Sequence, residues 1–200
     1  MPSIDELFRA RPVMVILRSK PTAEAVELAT RAWDLGIPLV EVPIQKPEFV
    51  GSLEAVVRAG RERGMPVGAG TVVSPDQLDA SERAGAAFAV SPGLDLGLVS
   101  ESHRRGLPFL PGVATATEVQ RAVTGGLTWL KAFPAAMLTP AWFRTLRGPF
   151  PEVEFVATGG VDAENAQLFL DAGVRTVALG SALEDPSQFD RIGELLADRP

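Results

Sequence analysis

The sequence predicts an α/β fold, a (β/α)8 or TIM barrel with a short N-terminal helix, in one domain that spans all 200 residues. One observation is a weak repeat, in which a helix-like segment ends in glycine and an apolar stretch begins two or three residues later. Glycine is expected just past a helix C-terminus, where φ is positive. Two further apolar stretches, residues 13–17 and 153–157, bring the number of strands to eight, which is the number in this barrel. The repeat occurs at Gly36, Gly64, Gly85, Gly106, Gly126 and Gly173.

The segments around these strands have helical patterns. Residues 3–10 predict a short helix before the first strand, where it would cover the bottom of the barrel. In the first long helix Val26, Ala29 and Trp33 recur at helical spacing, as a face packed on a sheet requires. Two later helices begin with the residue types of a capping box, in the pairs Ser74/Gln77 and Thr115/Glu118.

A doubly wound open sheet is the alternative fold. It fits less well because the strands are evenly spaced and because no Gly-x-Gly-x-x-Gly follows the first of them. The hydrophobic content of 46% gives a single domain a sizeable core, and 200 residues are too few for two comfortable domains.

Composition excludes several classes of protein. The chain has no cysteine, so disulfides, thiolate metal sites and thiol catalysis are excluded. The single histidine, His103, lies in a charged stretch where we expect a solvated helix residue, and one histidine excludes both a histidine-based triad and a multi-histidine metal site. A net charge of −6 with interspersed basic residues argues against nucleic-acid binding. Without a signal peptide or an apolar run near ~20 residues, we expect a cytoplasmic protein that does not enter a membrane.

Lys131 interrupts a run, residues 129–134, that otherwise predicts a buried strand. Burying an unpaired ammonium is costly, and a neutral amine can form a Schiff base with a carbonyl substrate. Glu41 is five residues after Gly36, and Lys131 is five residues after Gly126, so both charged residues have the same phase in their strands. These are the second and sixth strands, and alternate strands supply the same layer of a barrel interior. A carboxylate and an amine are therefore expected to meet inside the barrel.

Other polar and glycine residues gather at the carboxyl ends of the predicted strands, where active sites lie in this fold. Glycines there let backbone amides approach a ligand, and the loops after strands seven and eight are a recurrent phosphate site. After the first four strands come Arg18, then Gln45 and Lys46, then Thr71, and then Ser91-Pro92-Gly93. The last two strands end in Thr158-Gly159-Gly160-Val161 and Leu179-Gly180-Ser181-Ala182.

Six motifs occur in a specific order between about Val15 and Ser181: Val40-Glu41-Val42, Gly68-Ala69-Gly70-Thr71-Val72, Ser91-Pro92-Gly93, Pro-Gly-Val-Ala-Thr-Ala-Thr-Glu at 111–118, Leu130-Lys131-Ala132-Phe133-Pro134 and Thr158-Gly159-Gly160-Val161. In this order and spacing the sequence resembles the class I aldolases that cleave 2-keto-3-deoxy-6-phospho sugar acids. These are the 2-keto-3-deoxy-6-phosphogluconate (KDPG) and 2-keto-3-deoxy-6-phosphogalactonate (KDPGal) aldolases.

The resemblance implies a role for each matching residue. Lys131 would form the Schiff base and Glu41 would carry protons, while Thr71 and Phe133 would border the pyruvate site. Pro92 is a further candidate for substrate binding. The products would be pyruvate and glyceraldehyde 3-phosphate, and no metal or other cofactor would be needed. The resemblance also implies a homotrimer. The phosphate would be held by the glycine turns, at Gly159, Gly160, Val161, Gly180 and Ser181.

One departure concerns the carboxylate of the substrate. The gluconate enzymes usually carry Leu-Arg-Thr after the strand-two glutamate, where this chain has Ile44-Gln45-Lys46. The galactonate-type enzymes are more similar there, with an amide at that position and an Ile-Leu-Arg like Ile16-Leu17-Arg18. Arg18 would then take over the carboxylate contact, for which a guanidinium is well shaped. The choice between gluconate and galactonate stays open.

Two other functions compete with the aldolase. A sugar-phosphate isomerase or decarboxylase would use the same glycine turns without needing Lys131 as a nucleophile. A phosphosugar-binding protein without catalysis would also keep the barrel, and Gln45 is its best support.

Overall fold

The computed structural model describes residues 2–180 and 188–197 of the chain. Its centre is a sheet of nine parallel strand segments that curves into a nearly closed barrel, in the order β5-β4-β3-β2-β1-β9-β8-β7-β6. The fold predicted from the sequence, a TIM-type barrel, is confirmed. The segments are β1 Val13–Ile16, β2 Leu39–Pro43, β3 Val67–Gly70, β4 Phe88–Val90, β5 Phe109–Leu110, β6 Gly112–Val113, β7 Trp129–Ala132, β8 Glu154–Thr158 and β9 Thr176–Leu179.

The sequence predicts eight strands, and the structure has nine segments because the fifth strand is broken at Pro111. Proline has no N–H to give to a neighbouring strand, so the ladder stops there. β5 pairs with β4 on one side of the break, and β6 pairs with β7 on the other. The Pro111 carbonyl still accepts a hydrogen bond from Lys131 N at 2.9 Å. The two ends of the sheet therefore meet at one proline, and the barrel closes through it.

Helices surround the barrel, and the glycine repeat predicts where most of them end. All six glycines of the repeat have positive φ, so this prediction is confirmed. Gly64 and Gly85 are left-handed C-caps of their helices. In the described part of the chain no helix is long and apolar enough to cross a membrane. The helices are α1 Ile4–Phe8, α2 Thr22–Asp34, α3 Val50–Arg63, α4 Pro75–Ala84, α5 Leu96–Arg104, α6 Ala116–Thr124, α7 Ala135–Leu146, α8 Ala166–Asp171 and α9 Phe189–Ala197, with a 3-10 turn at Pro47–Phe49.

The core has two parts, one between the sheet and the helices and one inside the barrel. The interior part contains Met14, Leu39 and Trp129 from three strands, together with Leu7 and Phe8 from α1. The Phe8 ring meets the Phe88 ring edge to face at 5.2 Å, and Trp129 Nε1 donates to Asp5 Oδ1 at 3.1 Å. The short N-terminal helix predicted at residues 3–10 thus forms and covers the bottom of the barrel.

The two predicted capping boxes differ in the structure. At α6 both reciprocal bonds form between Thr115 and Glu118. At α4 Ser74 Oγ accepts from Gln77 N, but Gln77 Oε1 accepts from Val73 N rather than from Ser74 N. Gln77 Oε1 also accepts from Ser74 Oγ at 3.3 Å, while Gln77 Nε2 donates to the Ile44 carbonyl just after β2, so the amide lies toward Val73 instead of the Ser74 N–H.

Glu118 gives the structure an acid-sensitive contact. The backbone N–H groups of Ala114 and Thr115 donate to its carboxylate and hold the Glu118 pKa below its usual value. A lowered folded-state pKa stabilises the protein above the unfolded value of about 4.5, and this contribution is lost as pH falls through the folded value. We expect the free energy of unfolding of Glu118→Gln at pH 7 to be about 0.5–1 kcal/mol lower than that of wild type. In chemical denaturation at a series of pH values this gap should close below pH 4.5, and a constant gap would contradict the assignment.

Thr139 interrupts α7 with φ 61° and ψ 159°, directly before Pro140. This is a region that essentially only glycine visits freely, and a β-branched residue there is strained. We expect Thr139→Gly to raise the free energy of unfolding by about 1 kcal/mol, because the relieved strain exceeds the extra chain entropy of glycine. Thr145→Gly, in the helical part of α7, is the control and should lower it by about 0.5 kcal/mol. Equal losses in both variants, measured from denaturation midpoints, would argue against the left-handed conformation at Thr139.

Candidate active site

Glu41 and Lys131 both extend into the barrel interior. Each lies two residues after a side chain of the interior core, Leu39 in β2 and Trp129 in β7, and alternate side chains of a strand share a face. The fractional exposure is 1% for Glu41 and 4% for Lys131. The structure therefore places a carboxylate and an amine on the inner face of the same barrel.

Neither of these buried groups has an ion-pair partner in the described structure. Glu41 Oε2 is buried and has no hydrogen-bond partner. Within residues 2–180 and 188–197, Lys131 Nζ forms no ion pair, and it lies 5.3 Å from the centroid of the Phe133 ring. Buried ionisable groups without structural partners are typical of catalytic sites, since a structural ion pair would have satisfied them. An amine in this state is suited to nucleophilic attack on a carbonyl, and a carboxylate is suited to proton transfer.

Two glycines in β3 leave room for the Glu41 carboxylate and for the Phe88 ring. A Cβ at Gly70 would overlap the Glu41 carboxylate, with the Glu41 Cδ only 2.7 Å away, and a Cβ at Gly68 would overlap the Phe88 ring. Gly68 is the register neighbour of Glu41 in the sheet. A larger residue at Gly70 would therefore displace the Glu41 carboxylate, and one at Gly68 would displace the Phe88 ring.

Three of the substrate-binding residues predicted from the sequence lie near Lys131. Gly112 pairs with Lys131 in register, and a Cβ at Gly112 would overlap the carbonyl of Pro92, so the loop after β4 passes directly beside β6. Phe133 follows β7, and a Cβ at Gly159 would lie 2.9 Å from its Cδ2 atom. Pro92, Phe133 and Gly159 thus border the mouth of the barrel near Lys131.

Three further residues predicted to bind the substrate lie at the barrel rim, directly after the carboxyl ends of their strands. Arg18 follows β1 and is exposed. Gln45 follows β2, and its Nε2 donates to Ser19 Oγ at 2.9 Å. Thr71 follows β3 with φ 60°, and the next residue, Val72, donates its N–H to the Val90 carbonyl. Non-glycine residues with positive φ cluster at ligand sites, where the surrounding structure holds them in place.

The glycine turn after β8 is built for close backbone approach. Gly159 and Gly160 have φ of 89° and 74°, and Asn165 Nδ2 donates to the Gly160 carbonyl at 3.0 Å. Val161 is buried below the turn. Gly180 is exposed and follows β9, which pairs with β8, so the two glycine ends are neighbours. Ser181, the last nominated phosphate residue, lies outside the described residues.

The structure adds two residues to the candidate site, Thr158 and Ser19, to which the sequence analysis assigns no individual role. Thr158 is 1% exposed at the end of β8, and its buried Oγ1 has no hydrogen-bond partner. The sequence carries a signal for it, a hydroxyl residue at the end of an apolar strand and directly before the glycine turn. Ser19 has no sequence signal, because its contact with Gln45 joins residues that are 26 positions apart.

The described residues contain no group of three or more histidine, aspartate or glutamate side chains that could hold a metal ion.

Comparison with known proteins agrees with this geometry. The family model described as "Aldolase: KDPG and KHG aldolase" matches residues 4–195. The chain belongs to the KDPG and KHG aldolase family. It is accordingly an aldehyde-lyase, and the resemblance stated from the sequence motifs is confirmed.

Individual relatives align with most of this chain and with most of their own length. The 2-dehydro-3-deoxy-6-phosphogalactonate aldolase of Escherichia coli (strain K12) is 34% identical over 173 residues, 86% of this chain and 84% of the relative. The 2-dehydro-3-deoxy-phosphogluconate aldolase of Pseudoalteromonas atlantica is 32% identical over 200 residues, 96% of this chain and 92% of the relative. The crystal structure of KDPG aldolase from Legionella pneumophila, with pyruvate captured as a covalent carbinolamine intermediate, superposes with a TM-score of 0.83 at 30% identity and covers 98% of this chain and 97% of that one.

Proposed function

We propose that this aldolase cleaves a 2-keto-3-deoxy-6-phospho sugar acid, of gluconate or galactonate type, to pyruvate and glyceraldehyde 3-phosphate through a Schiff base on Lys131. The observation that carries the proposal is the position of Lys131, buried inside the barrel without an ion pair and on the same inner face as Glu41. Relatives named KDPG and KDPGal aldolase support the choice of substrate.

The covalent step begins with attack of the Lys131 amine on the C2 ketone of the sugar acid. The adduct is a carbinolamine, which loses water to give an iminium. The iminium then accepts the electron pair of the breaking C3–C4 bond. Lys131 Nζ forms no ion pair in the described structure, so no carboxylate has to be displaced before the amine meets the ketone.

Glu41 carries the protons of the reaction. It removes the proton of the C4 hydroxyl, so that the C3–C4 bond breaks and the aldehyde forms. It then returns a proton to C3 of the enamine, directly or through water, and hydrolysis releases pyruvate from Lys131. The unpartnered Oε2 leaves one carboxylate oxygen available for this transfer.

The rim residues hold the rest of the substrate. Arg18 binds the carboxylate of the sugar acid, with Gln45 beside it. Pro92, Thr71 and Phe133 border the pyruvate half. The phosphate lies on the backbone amides of the two glycine turns, at Gly159, Gly160 and Val161 after β8 and at Gly180 and Ser181 after β9.

The remaining features of the proposal concern the setting of the enzyme. We propose that residues 1–200 form one domain, that three copies assemble as a homotrimer, and that the enzyme acts in the cytoplasm on small molecules, without a nucleic acid or membrane partner. The family resemblance supports the trimer, and the net charge of −6 supports the absence of nucleic acid. Sedimentation equilibrium should give the mass of three chains, and a monomer mass would refute the trimer.

Borohydride trapping tests the covalent step. The protein is incubated with pyruvate and sodium borohydride, digested and analysed by mass spectrometry for a reduced adduct. The chain has three lysines, and the other two, Lys20 and Lys46, serve as internal controls outside the barrel. We expect the adduct on the Lys131 peptide alone. A folded protein without an adduct there would instead favour a non-covalent enzyme of the isomerase or decarboxylase type on the same barrel.

A further inference from the structure

One side chain closes a ring of hydrogen bonds around Thr71 at the barrel rim. Gln77 Oε1 accepts from Val73 N at 2.9 Å, and Gln77 Nε2 donates to the Ile44 carbonyl at 3.0 Å. Ile44 N in turn donates to the Gly70 carbonyl at 2.8 Å, and the chain from Gly70 to Val73 completes the ring. Every other link of this ring is a backbone group, so Gln77 is the link that a substitution can remove.

Thr71 is a residue that needs such support. It has φ 60°, in the left-handed region, where a β-branched side chain is strained. Strained residues persist only where the surrounding structure holds them, and they cluster at ligand sites. The Val72 N–H, which donates to the Val90 carbonyl at 3.0 Å, fixes the backbone directly after Thr71. The ring through Gln77 fixes the same turn from the neighbouring loop.

The conformation of Thr71 decides the direction of the side chains around it. In β3, Val67 and Ala69 pack in the core between the sheet and the helices, so strand alternation would turn Val72 toward the barrel interior. Val72 instead packs in the same outer core as Val67 and Ala69 and is fully buried there. The turn at Thr71 therefore interrupts the alternation, and the direction of the Thr71 side chain depends on this turn rather than on the strand.

The ring also fixes the loop after β2. Ile44 is bound through both its N–H and its carbonyl, and Gln45 follows it directly. In the proposed aldolase Gln45 lies beside the substrate carboxylate and Thr71 borders the pyruvate half. The Gln77 amide thus joins the two loops that carry these groups. Supporting contacts of this kind keep recognition groups in place before the ligand arrives.

The residue type at position 77 suits the bridge between loops better than it suits a helix start. Gln77 is the third residue of α4, where a capping box would place its side chain on Ser74 N. A glutamate would serve there too, and its charge would favour the positive end of the helix dipole. A carboxylate has no N–H, however, so it cannot accept from Val73 N and also donate to the Ile44 carbonyl. An amide can do both.

We propose that Gln77 is a positioning residue of this aldolase, which holds Thr71 and Gln45 in the arrangement that binds the pyruvate half of the substrate. The inference rests on the proposed aldolase function and adds a residue that acts on substrate binding through the two rim loops. Its loss weakens the binding of pyruvate and leaves the chemical step at Lys131 unchanged once pyruvate is bound.

The test measures how fast pyruvate and sodium cyanoborohydride label Lys131 over a series of pyruvate concentrations. Gln77→Glu keeps an acceptor for Val73 N and loses the donor to Ile44, while its charge favours the helix start, so the midpoint of thermal unfolding should change little. The pyruvate concentration at half of the maximal rate should rise about tenfold or more, the scale of a misplaced positioning group. The maximal rate itself should stay close to wild type.

Ser74→Ala is the matched control in the same turn. Ser74 Oγ accepts from Gln77 N at 3.3 Å as the N-cap of α4, so its loss should lower the midpoint of thermal unfolding. It leaves both links of the Gln77 amide in place, and the half-saturating pyruvate concentration should therefore match wild type. Gln77→Met has the shape of glutamine without its polar atoms. It should reproduce the rise seen in Gln77→Glu, which excludes an effect of the added charge.

Hydrogen exchange of the Val72 amide, followed by NMR, reports on the turn without any substrate. It should be about fivefold faster or more in both Gln77 variants than in wild type, the scale of one lost hydrogen bond. In Ser74→Ala it should be unchanged. Wild-type exchange in the Gln77 variants would show that the ring does not hold Thr71.

An unchanged half-saturating pyruvate concentration in Gln77→Glu and Gln77→Met would overturn the inference. An equal rise in Ser74→Ala would overturn it too, because a loosened α4 would then explain the effect. A wild type that is not labelled would reject the aldolase function and, with it, the role of Gln77 in pyruvate binding. A labelled wild type with unchanged Gln77 variants would leave the aldolase in place and reject only the role of Gln77.

Discussion

Lys131→Met is expected to lower turnover by roughly 10⁴-fold or more, because the variant has no amine with which to form the covalent intermediate, and loss of a nucleophile has effects of this size or larger. The fold should persist, since the methionine side chain retains most of the apolar contacts of the lysine stem and removes a buried group that has no ion pair in the described structure. The midpoint of thermal unfolding should stay equal to that of wild type or rise.

The measurement is a coupled assay of pyruvate release on the KDPG and KDPGal substrates, with circular dichroism to verify folding. Lys46→Met is the matched control, because Lys46 is an exposed lysine at the barrel rim. A well-folded Lys131→Met protein that still releases pyruvate at a rate near wild type would disprove the Schiff-base mechanism at this residue.

Glu41→Gln is expected to slow cleavage by roughly a hundredfold or more, the size of a lost general acid-base group. The amide fills the same volume beside Gly70, so the barrel interior should remain packed. The variant should also fail to exchange the methyl protons of pyruvate with deuterium, a reaction that needs only the Schiff base and the proton carrier. NMR of pyruvate in D2O measures this exchange, and wild-type exchange in Glu41→Gln would require another proton carrier.

Gly70→Ala provides an independent check on the same carboxylate. Gly70 has no positive φ, so alanine fits its backbone, and the three atoms nearest to the added methyl group all belong to the Glu41 side chain. A variant that displaces the carboxylate while keeping it in the chain should lose rate in the same proton-exchange assay. Retained exchange would show that Glu41 can transfer protons from a different position.

Most of the correct predictions came from the alternation of side chains along each strand and from the glycines that follow the helices. A strand turns successive side chains to opposite faces, so counting from Gly36 and Gly126 was enough to place Glu41 and Lys131 on the inner face. The glycine positions followed from the conformation that ends a helix, and all six have it. These are local properties, which a sequence states directly.

Contacts between distant segments could not be read in this way. The break at Pro111 needed knowledge of which neighbouring strand would lack its hydrogen bond. The position of the Gln77 amide near Val73 depends on the Ile44 carbonyl, 33 residues away, and Ser19 meets Gln45 only because the ends of β1 and β2 are adjacent. The unpartnered hydroxyl of Thr158 is likewise a property of the folded interior. In each case the decisive partner is set by packing.

The helix at the bottom of the barrel has a consequence for the order of events. Leu7 and Phe8 fill the lower interior together with Trp129, so the bottom of the barrel is closed below Lys131. A substrate that reaches this amine in the proposed mechanism enters from the carboxyl ends of the strands, and its products leave the same way. In the proposed mechanism pyruvate is still joined to Lys131 after the carbon–carbon bond breaks, while the aldehyde is no longer attached to the protein. We therefore expect ordered release, in which the aldehyde departs first and water then enters along the same route to release the keto acid.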